Sequence, residues 1–241
     1  MLAVEGLTKR FGGFLAVNQV SFAAREGEIL GLIGPNGSGK STTFNLIAGT
    51  LRPTSGSIRF KGAEIASLSA HAICRRGIAR TFQIPRPFRR LSLIENVALA
   101  AYYGEVGRVS RAEARRRAEE ALGLVGLPTD PAATTSGLGA AALKKLELAR
   151  ALATRPQLLL ADESLGGLDS TEMERAADLL ESIRSRMGVT IIWVEHIMGV
   201  LMRIVDRVIV LDHGEKIFEG APAQAAVDPR VTEVYLGKAR A

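Results

Sequence analysis

A chain of 241 residues, 47% hydrophobic and 23% charged, carries enough apolar content for a sizeable core and excludes a disordered or fibrous class. Its single Cys74 excludes an internal disulfide framework and reads as a small packed hydrophobe in a reducing compartment. The net charge of +6 suits a nucleotide, anionic lipid or nucleic acid, or serves solubility alone; no secretory leader pattern is expected, and no apolar run is long enough to span a bilayer.

Leu2 to Leu7 alternates weakly and reads as a strand, Lys9 to Gly13 as a turn, and Ala16 to Phe22 as a second strand. Ile29 to Ile33 is a buried apolar strand. It runs into Gly34, Pro35, Asn36, Gly37, Ser38, Gly39, Lys40, Ser41 and Thr42, and then into Thr43 to Ala48, which reads as a helix. Strand, G-x-x-x-x-G-K-S and helix in that order is the context of a P-loop. Its glycines let backbone N–H groups turn inward around a phosphate chain at a helix N-terminus. Lys40 supplies a charge for the β- and γ-phosphates, and Ser41 a hydroxyl for Mg²⁺.

Pro53 to Gly56 is a turn before a strand, Ser57 to Phe60, so the short Gly-flanked strands predict an antiparallel β-layer beside the nucleotide loop. Ile78 to Gln83 reads as a short strand ending in a polar loop. Ile84 to Arg90, with two prolines and three arginines, is irregular. From Leu93 to Gly126 the pattern is helical, with a capping box at Ser110 to Glu113; Arg111, Arg115, Arg116 and Arg117 form a solvated face or, as the minority reading, a lipid or partner contact. Pro128 to Gly139 is a loop and Ala141 to Thr154 a second strong helix.

Leu158 to Ala161 reads as a buried parallel-type strand. Asp169 to Glu172 is another capping box, opening a helix that Gly188 closes. Val189 to Val194 is a strand with Trp193 in the core, Met198 to Arg203 is helical, and Arg207 to Glu219 is a hairpin across Asp212 to Glu215. Alternating strands and helices predict an α/β fold with a mainly parallel sheet. The helical middle, about 87–155, is a subdomain inserted in one domain of residues 1–241.

Two carboxylates, Asp162 and Glu163, follow the apolar strand. Asp162 is placed to hold Mg²⁺, through water, and Glu163 to orient and deprotonate an attacking water. Gln83 offers an amide oxygen to the metal or the water. His196 is a γ-phosphate contact or an ordinary hydrogen-bonded histidine, and Phe11 a base-stacking aromatic or a core residue.

Taken together these residues resemble an ABC-transporter ATPase subunit over nearly the whole chain. Phe11 matches the adenine-stacking aromatic, Gly34 to Thr42 the Walker A, Gln83 the Q-loop, Asp162 and Glu163 the Walker B with its catalytic glutamate. Gly167-Leu168-Asp169 matches the D-loop and His196 the H-loop. Three further stretches resemble the ATPases of branched-chain amino-acid importers: Ile78 to Gln83, Phe88 to Asn96 and Asp228 to Gly237. The family's signature, usually LSGGQ, falls on Leu138-Gly139-Ala140-Ala141-Ala142, where the serine, both glycines and the glutamine are replaced. Ser136 lies nearby, out of register, and a shift that lets Ser136 to Gly139 serve stays open.

The resemblance implies a P-loop NTPase core that binds ATP and Mg²⁺, with Ser41, Gln83 and Asp162 around the metal and Glu163, His196 and Lys40 at the γ-phosphate. It implies a sandwich dimer with a second ATPase subunit, related but different. Integral-membrane permease subunits would dock at Pro85 to Leu91 and the adjoining helix, on the cytoplasmic face of the inner membrane, and a solute-binding protein would act indirectly. No nucleic acid is expected. Two alternatives stay open: a soluble ABC ATPase acting on nucleic acid or ribosomes, and a nucleotide-binding regulatory subunit with little turnover.

Overall fold

The structure, a computed structural model, describes the chain except for residues 105, 106, 108, 163–168, 196, 197 and 237–241. In chain order its elements are β1 (Leu2–Phe11), β2 (Phe14–Ala24), β3 (Ile29–Ile33), α1 (Lys40–Ile47), β4 (Ser55–Phe60), β5 (Ala63–Glu64), α2 (Ala70–Arg75), β6 (Ile78–Arg80), α3 (Leu93–Tyr103), α4 (Arg111–Leu124), α5 (Ala140–Ala153), β7 (Leu158–Asp162), α6 (Ser170–Met187), β8 (Thr190–Val194), α7 (Met198–Ile204), β9 (Arg207–Asp212), β10 (Glu215–Gly220), α8 (Pro222–Ala225) and α9 (Pro229–Leu236). They form two compact units: Met1–Ala70 with Thr190–Ala241, and His71–Val189.

The first unit holds the expected antiparallel layer, in the order β2-β1-β4-β5. Leu2, Val4 and Leu7 of β1 turn inward. β1 runs on through Phe11, which pairs with Phe14, so the tight turn is Gly12-Gly13 alone and Phe11 ends a strand rather than sitting in a turn. The same unit carries β3 between β8 and β9, parallel to both, with β10 antiparallel to β9. Every residue of β3 and β8 is buried, the pattern of strands covered on both faces, and Trp193 lies wholly inside. The helices α8 and α9 were not anticipated. Asp228 starts α9 by accepting from the amides of Arg230 (2.9 Å) and Val231 (3.4 Å), with Pro229 at the first helical position.

The second unit pairs β6 with β7 in parallel and packs α3, α4 and α5 together. The helical run from Leu93 to Gly126 divides into α3 and α4, the second opening at Ser110 and ending at Leu124 as expected. α3 stops at Gly104, where a Cβ would come within 2.6 Å of the Thr154 side chain. α4 then restarts at Ser110. Ser110 accepts from the Glu113 amide, but the carboxylate of Glu113 accepts from Arg116 and Arg117 instead of reaching back. A complete capping box instead opens α3, between Ser92 and Glu95. The anticipated box at Asp169 and Glu172 opens α6, and Gly188, at φ 64°, closes it. The arginines of α4 pair along their own helix, Arg115 with Glu119, Arg116 with Glu113 and Glu120, and Arg117 with Glu113; Arg111, Arg115 and Arg116 form the expected solvated face, whereas Arg117 departs from it and is buried, its charge met by Glu113. Cys74 bonds weakly to Gly104 O, and burial pushes its thiol pKa up, as befits a packed side chain. Among the described residues no helix is long and apolar enough to cross a membrane.

Candidate nucleotide-binding site

The loop from Gly34 to Thr42 joins β3 to α1. Two of its glycines are required by space as well as by conformation. Gly34 has φ 147°, and a Cβ there would fall 2.1 Å from Leu211 O; Gly39 has φ 102°, and a Cβ there would fall 2.6 Å from Ala16 O. The loop is thus clamped between the end of β9 and the start of β2, and the amide of Gly214 donates to Ser38 O (3.1 Å). α1 begins at Lys40 with no side-chain cap and no acidic residue in its first turn, which suits an anion at its N-terminus. Lys40 is buried, and its Nζ donates to Gly34 O (2.7 Å) and Pro35 O (2.9 Å). Ser41 is exposed at the helix start.

A groove of about 830 Å³ lies beside Pro35 to Ser38. Phe14, His213 of the β9–β10 turn, and Arg230 and Glu233 of α9 bound it. From the same helix, Tyr235 stands at Gly34. Burial pushes its phenol up to about 12, opposed in part by the Gly34 backbone. Phe11 is 44% exposed, with the Lys9 ammonium 5.0 Å from its ring centroid.

The second unit carries Gln83 and Asp162. Asp162 ends β7 and is buried. Its Oδ2 accepts from Arg80 Nη2 at 2.6 Å, and its amide donates to Thr81 Oγ1 at 3.1 Å. Gln83 is exposed just beyond β6. Asp169, a proposed nucleotide residue, is the N-cap of α6. Glu163, Gly167, Leu168 and His196 lie outside the described residues.

The segment at Leu138 to Ala142 starts α5, with Gly139 in the cap position at φ −71° and ψ 173° and no side chain capping the helix. Ser136 sits three residues earlier, beside Gly137 at φ 77°, in the turn before α5. The anticipated docking stretch is shaped from beneath by Asn96 and Glu147. The fully buried Asn96 accepts from Phe88 N and donates to the carbonyls of Phe88, Leu91 and Ser92; Glu147 accepts from Arg86 N and Arg150. Phe88 stays exposed on its surface, as do Phe82 and Ile84 just ahead of it.

Within the second unit, the amide of Gln83 and the carboxylate of Asp162 are oxygen donors of the kind Mg²⁺ takes, since it accepts one or two carboxylates and fills its shell with phosphate and water; Ser41, in the first unit, offers a hydroxyl of the same class. Sequence reasoning missed Arg80, because a lone arginine in a short strand has no periodic signal. It also missed Tyr235, although Asp228-Pro229 marks the start of its helix.

The family model described as ABC transporter matches residues 17–166. The high-affinity branched-chain amino acid transport ATP-binding protein BraF of Pseudomonas aeruginosa is 37% identical over 99% of this chain and 98% of its own length. The ADP conformation of MJ1267, an ATP-binding cassette of an ABC transporter, superposes with a TM-score of 0.88 at 27% identity, covering 99% of each chain. The dimeric post-hydrolysis state of the cassette MJ0796, bound to ADP and Pi, superposes at 0.82 and 30% identity over 92% of this chain and 99% of that one.

Proposed function

The chain belongs to the ABC transporter family as an ATP-binding and ATP-hydrolysing cassette, and on that premise we propose that it powers an importer for branched-chain amino acids or a related small organic solute. The observation that carries this reading is the 37% identity to BraF across nearly the full length of both chains. The dimer of MJ0796 supports a nucleotide-sandwich dimer here. The assembly sits on membrane permease subunits at the cytoplasmic face of the inner membrane, with a solute-binding protein acting on those subunits.

In this reading Phe11 stacks on the adenine, and the amides of Gly34 to Thr42 wrap the phosphates. Lys40 exchanges its contacts with Gly34 and Pro35 for the β- and γ-phosphates. Ser41, Gln83 and Asp162 hold Mg²⁺, which when bound neutralises the phosphates and fixes their geometry. Glu163 takes a proton from the attacking water, and His196 donates an N–H to the γ-phosphate. Asp169 contributes from the D-loop. The loop from Pro85 to Leu91, held by Asn96 and Glu147, passes the closure of the dimer to the permease.

Replacement of the signature serine by Gly139 favours a partner that is a related but different ATPase with its own complete signature. ATP on this chain then turns over normally, while ATP on the partner meets a weaker lid. Glu163→Gln and the equivalent change in the partner, made separately in the assembled complex, are expected to lower ATPase activity by unequal amounts, with Glu163→Gln the more damaging. Equal losses would remove the asymmetry. For the transport reading, the chain should co-purify with polytopic membrane subunits, and the reconstituted complex should take leucine into vesicles in an ATP-dependent way. Co-purifying nucleic acid without uptake would overturn it.

A further inference from the structure

Arg80 and Asp162 form an ion pair with side chains only 10% and 7% exposed. They end adjacent parallel strands, β6 and β7, with Arg80 opposite Leu160. The junction is tied twice more through Thr81, whose amide donates to Leu160 O at 3.0 Å and whose hydroxyl accepts from Asp162 N at 3.1 Å. The Arg80 guanidinium also lies 5.4 Å from the ring centroid of Phe82. Gln83 follows directly. Three consecutive residues ahead of Gln83 are therefore in contact either with the strand end that carries Asp162 or with the cation that holds it.

A buried carboxylate needs a counter-charge, and breaking such a pair without replacement is strongly unfavourable. In this structure the counter-charge is the guanidinium. A nucleotide arriving with Mg²⁺ offers a second, larger one. Two cations on one buried carboxylate repel each other through a medium of low dielectric, so they compete for it. Arg80 does not lose every contact when it yields, because the aromatic face of Phe82 still attracts its planar cation.

We infer that Arg80 is a positioning residue for hydrolysis: it holds the Asp162 carboxylate in the nucleotide-free chain and yields it to the metal that enters with ATP. Withdrawal of Arg80 carries Phe82 and Gln83 with it, so metal loading and movement of the segment before the docking loop are one event. This inference rests on the proposal that Asp162 receives Mg²⁺.

The test uses the full chain and measures ATP affinity in excess EDTA and in Mg²⁺, by calorimetry, without turnover as the readout. In Arg80→Gln no cation must be displaced, so the ratio of Mg·ATP affinity to metal-free ATP affinity is expected to rise by at least about fivefold, the lower end of ordinary coupling between sites. Arg80→Lys, which keeps a cation on a single-oxygen contact, should stay close to the wild-type ratio. Asp162→Asn should collapse the ratio. If Asp162→Asn leaves the ratio untouched, the metal reading itself fails. If Asp162→Asn collapses it but Arg80→Gln matches the wild type, Arg80 is only a structural partner and the inference fails alone. Should Arg80→Gln not fold, amide exchange on the wild type decides the matter. Residues 80–83 are expected to change protection when Mg²⁺ joins bound ATP, and no change would overturn the inference.

Discussion

Lys40 reaches back across its own loop and donates to the carbonyl oxygen of Gly34 at 2.7 Å. The residue whose charge the phosphates would use is thus held by its own loop, which it closes on itself with a second bond to Pro35 O. Pre-ordering lowers the entropy cost of binding, because the loop need not be shaped by the ligand.

Lys40→Ala should therefore separate two effects. The loss of a charge-assisted bond to phosphate is worth about 1.5–3 kcal/mol, or roughly 10- to 100-fold in ATP affinity. In thermal melts the wild type should gain about 2.7 kcal/mol at a hundredfold excess of ATP over its dissociation constant, while the variant gains only about 0.4–1.4 kcal/mol at the same concentration. An unchanged ATP-induced shift in Tm would show that Lys40 does not meet the nucleotide.

Asn96→Ala tests the support of the docking loop. Its amide makes one bond from and three bonds to the backbone of Phe88, Leu91 and Ser92. Truncation leaves buried backbone groups without that partner, costing roughly 2 kcal/mol or more and lowering Tm by about 4 °C or more. Hydrogen exchange at residues 86–92 should accelerate while ATP affinity stays near that of the wild type. A loop that remains as protected as before would show that Asn96 does not hold it.

Much of the fold was legible because its signals are contiguous. The nucleotide loop, the buried strands β3, β7 and β8 and the cap at Asp169 each lie within a few neighbouring residues. What escaped depends on distant partners. The start of α4 at Ser110 was legible, but the end of α3 was not: it comes at Gly104, which the side chain of Thr154 crowds from fifty positions away. The cation on Asp162 comes from Arg80, 82 positions away in sequence. At Glu113 the local rule named the right residue and the wrong bond, because Arg116 and Arg117 outcompete the amide of Ser110 for its carboxylate. Of the candidate site, Lys40, Asp162 and Asp169 have described surroundings, while Glu163 and His196 rest on their motifs.

Glu113 supplies the pH prediction. Hydrogen bonds from Arg116, then Arg117, hold its carboxyl pKa at about 2, below the ordinary value of 4.5. A carboxylate depressed in the folded state binds protons less readily than in the unfolded chain. Its stabilising contribution is therefore complete above pH 4.5 and is lost as pH falls toward 2. The Tm of the wild type should exceed that of Glu113→Gln at pH 6, and the gap should narrow steadily on acidification through that window. A gap independent of pH would assign the effect of Gln to packing rather than to charge.

Gly139→Ser tests whether the missing hydroxyl is what weakens the lid. Gly139 already has the extended backbone that capping residues adopt, and a Cβ there meets nothing within 4 Å, so serine enters without strain. On the free chain it should be neutral or stabilising by about a few tenths of a kcal/mol, because its oxygen can accept from an amide in the first turn of α5. In the assembled dimer the hydroxyl would face the partner's ATP. Glu163→Gln in this chain first silences its own site, so the residual ATPase activity reports the partner's. Adding Gly139→Ser should then raise that residual rate, up to about tenfold if a bond to the phosphate worth about 1.4 kcal/mol forms in the transition state. A residual rate that does not move, with the free chain as stable as before, would place the defect in Ala140 to Ala142 instead. The glycines that elsewhere bring backbone amides close to phosphate are replaced there by residues with side chains.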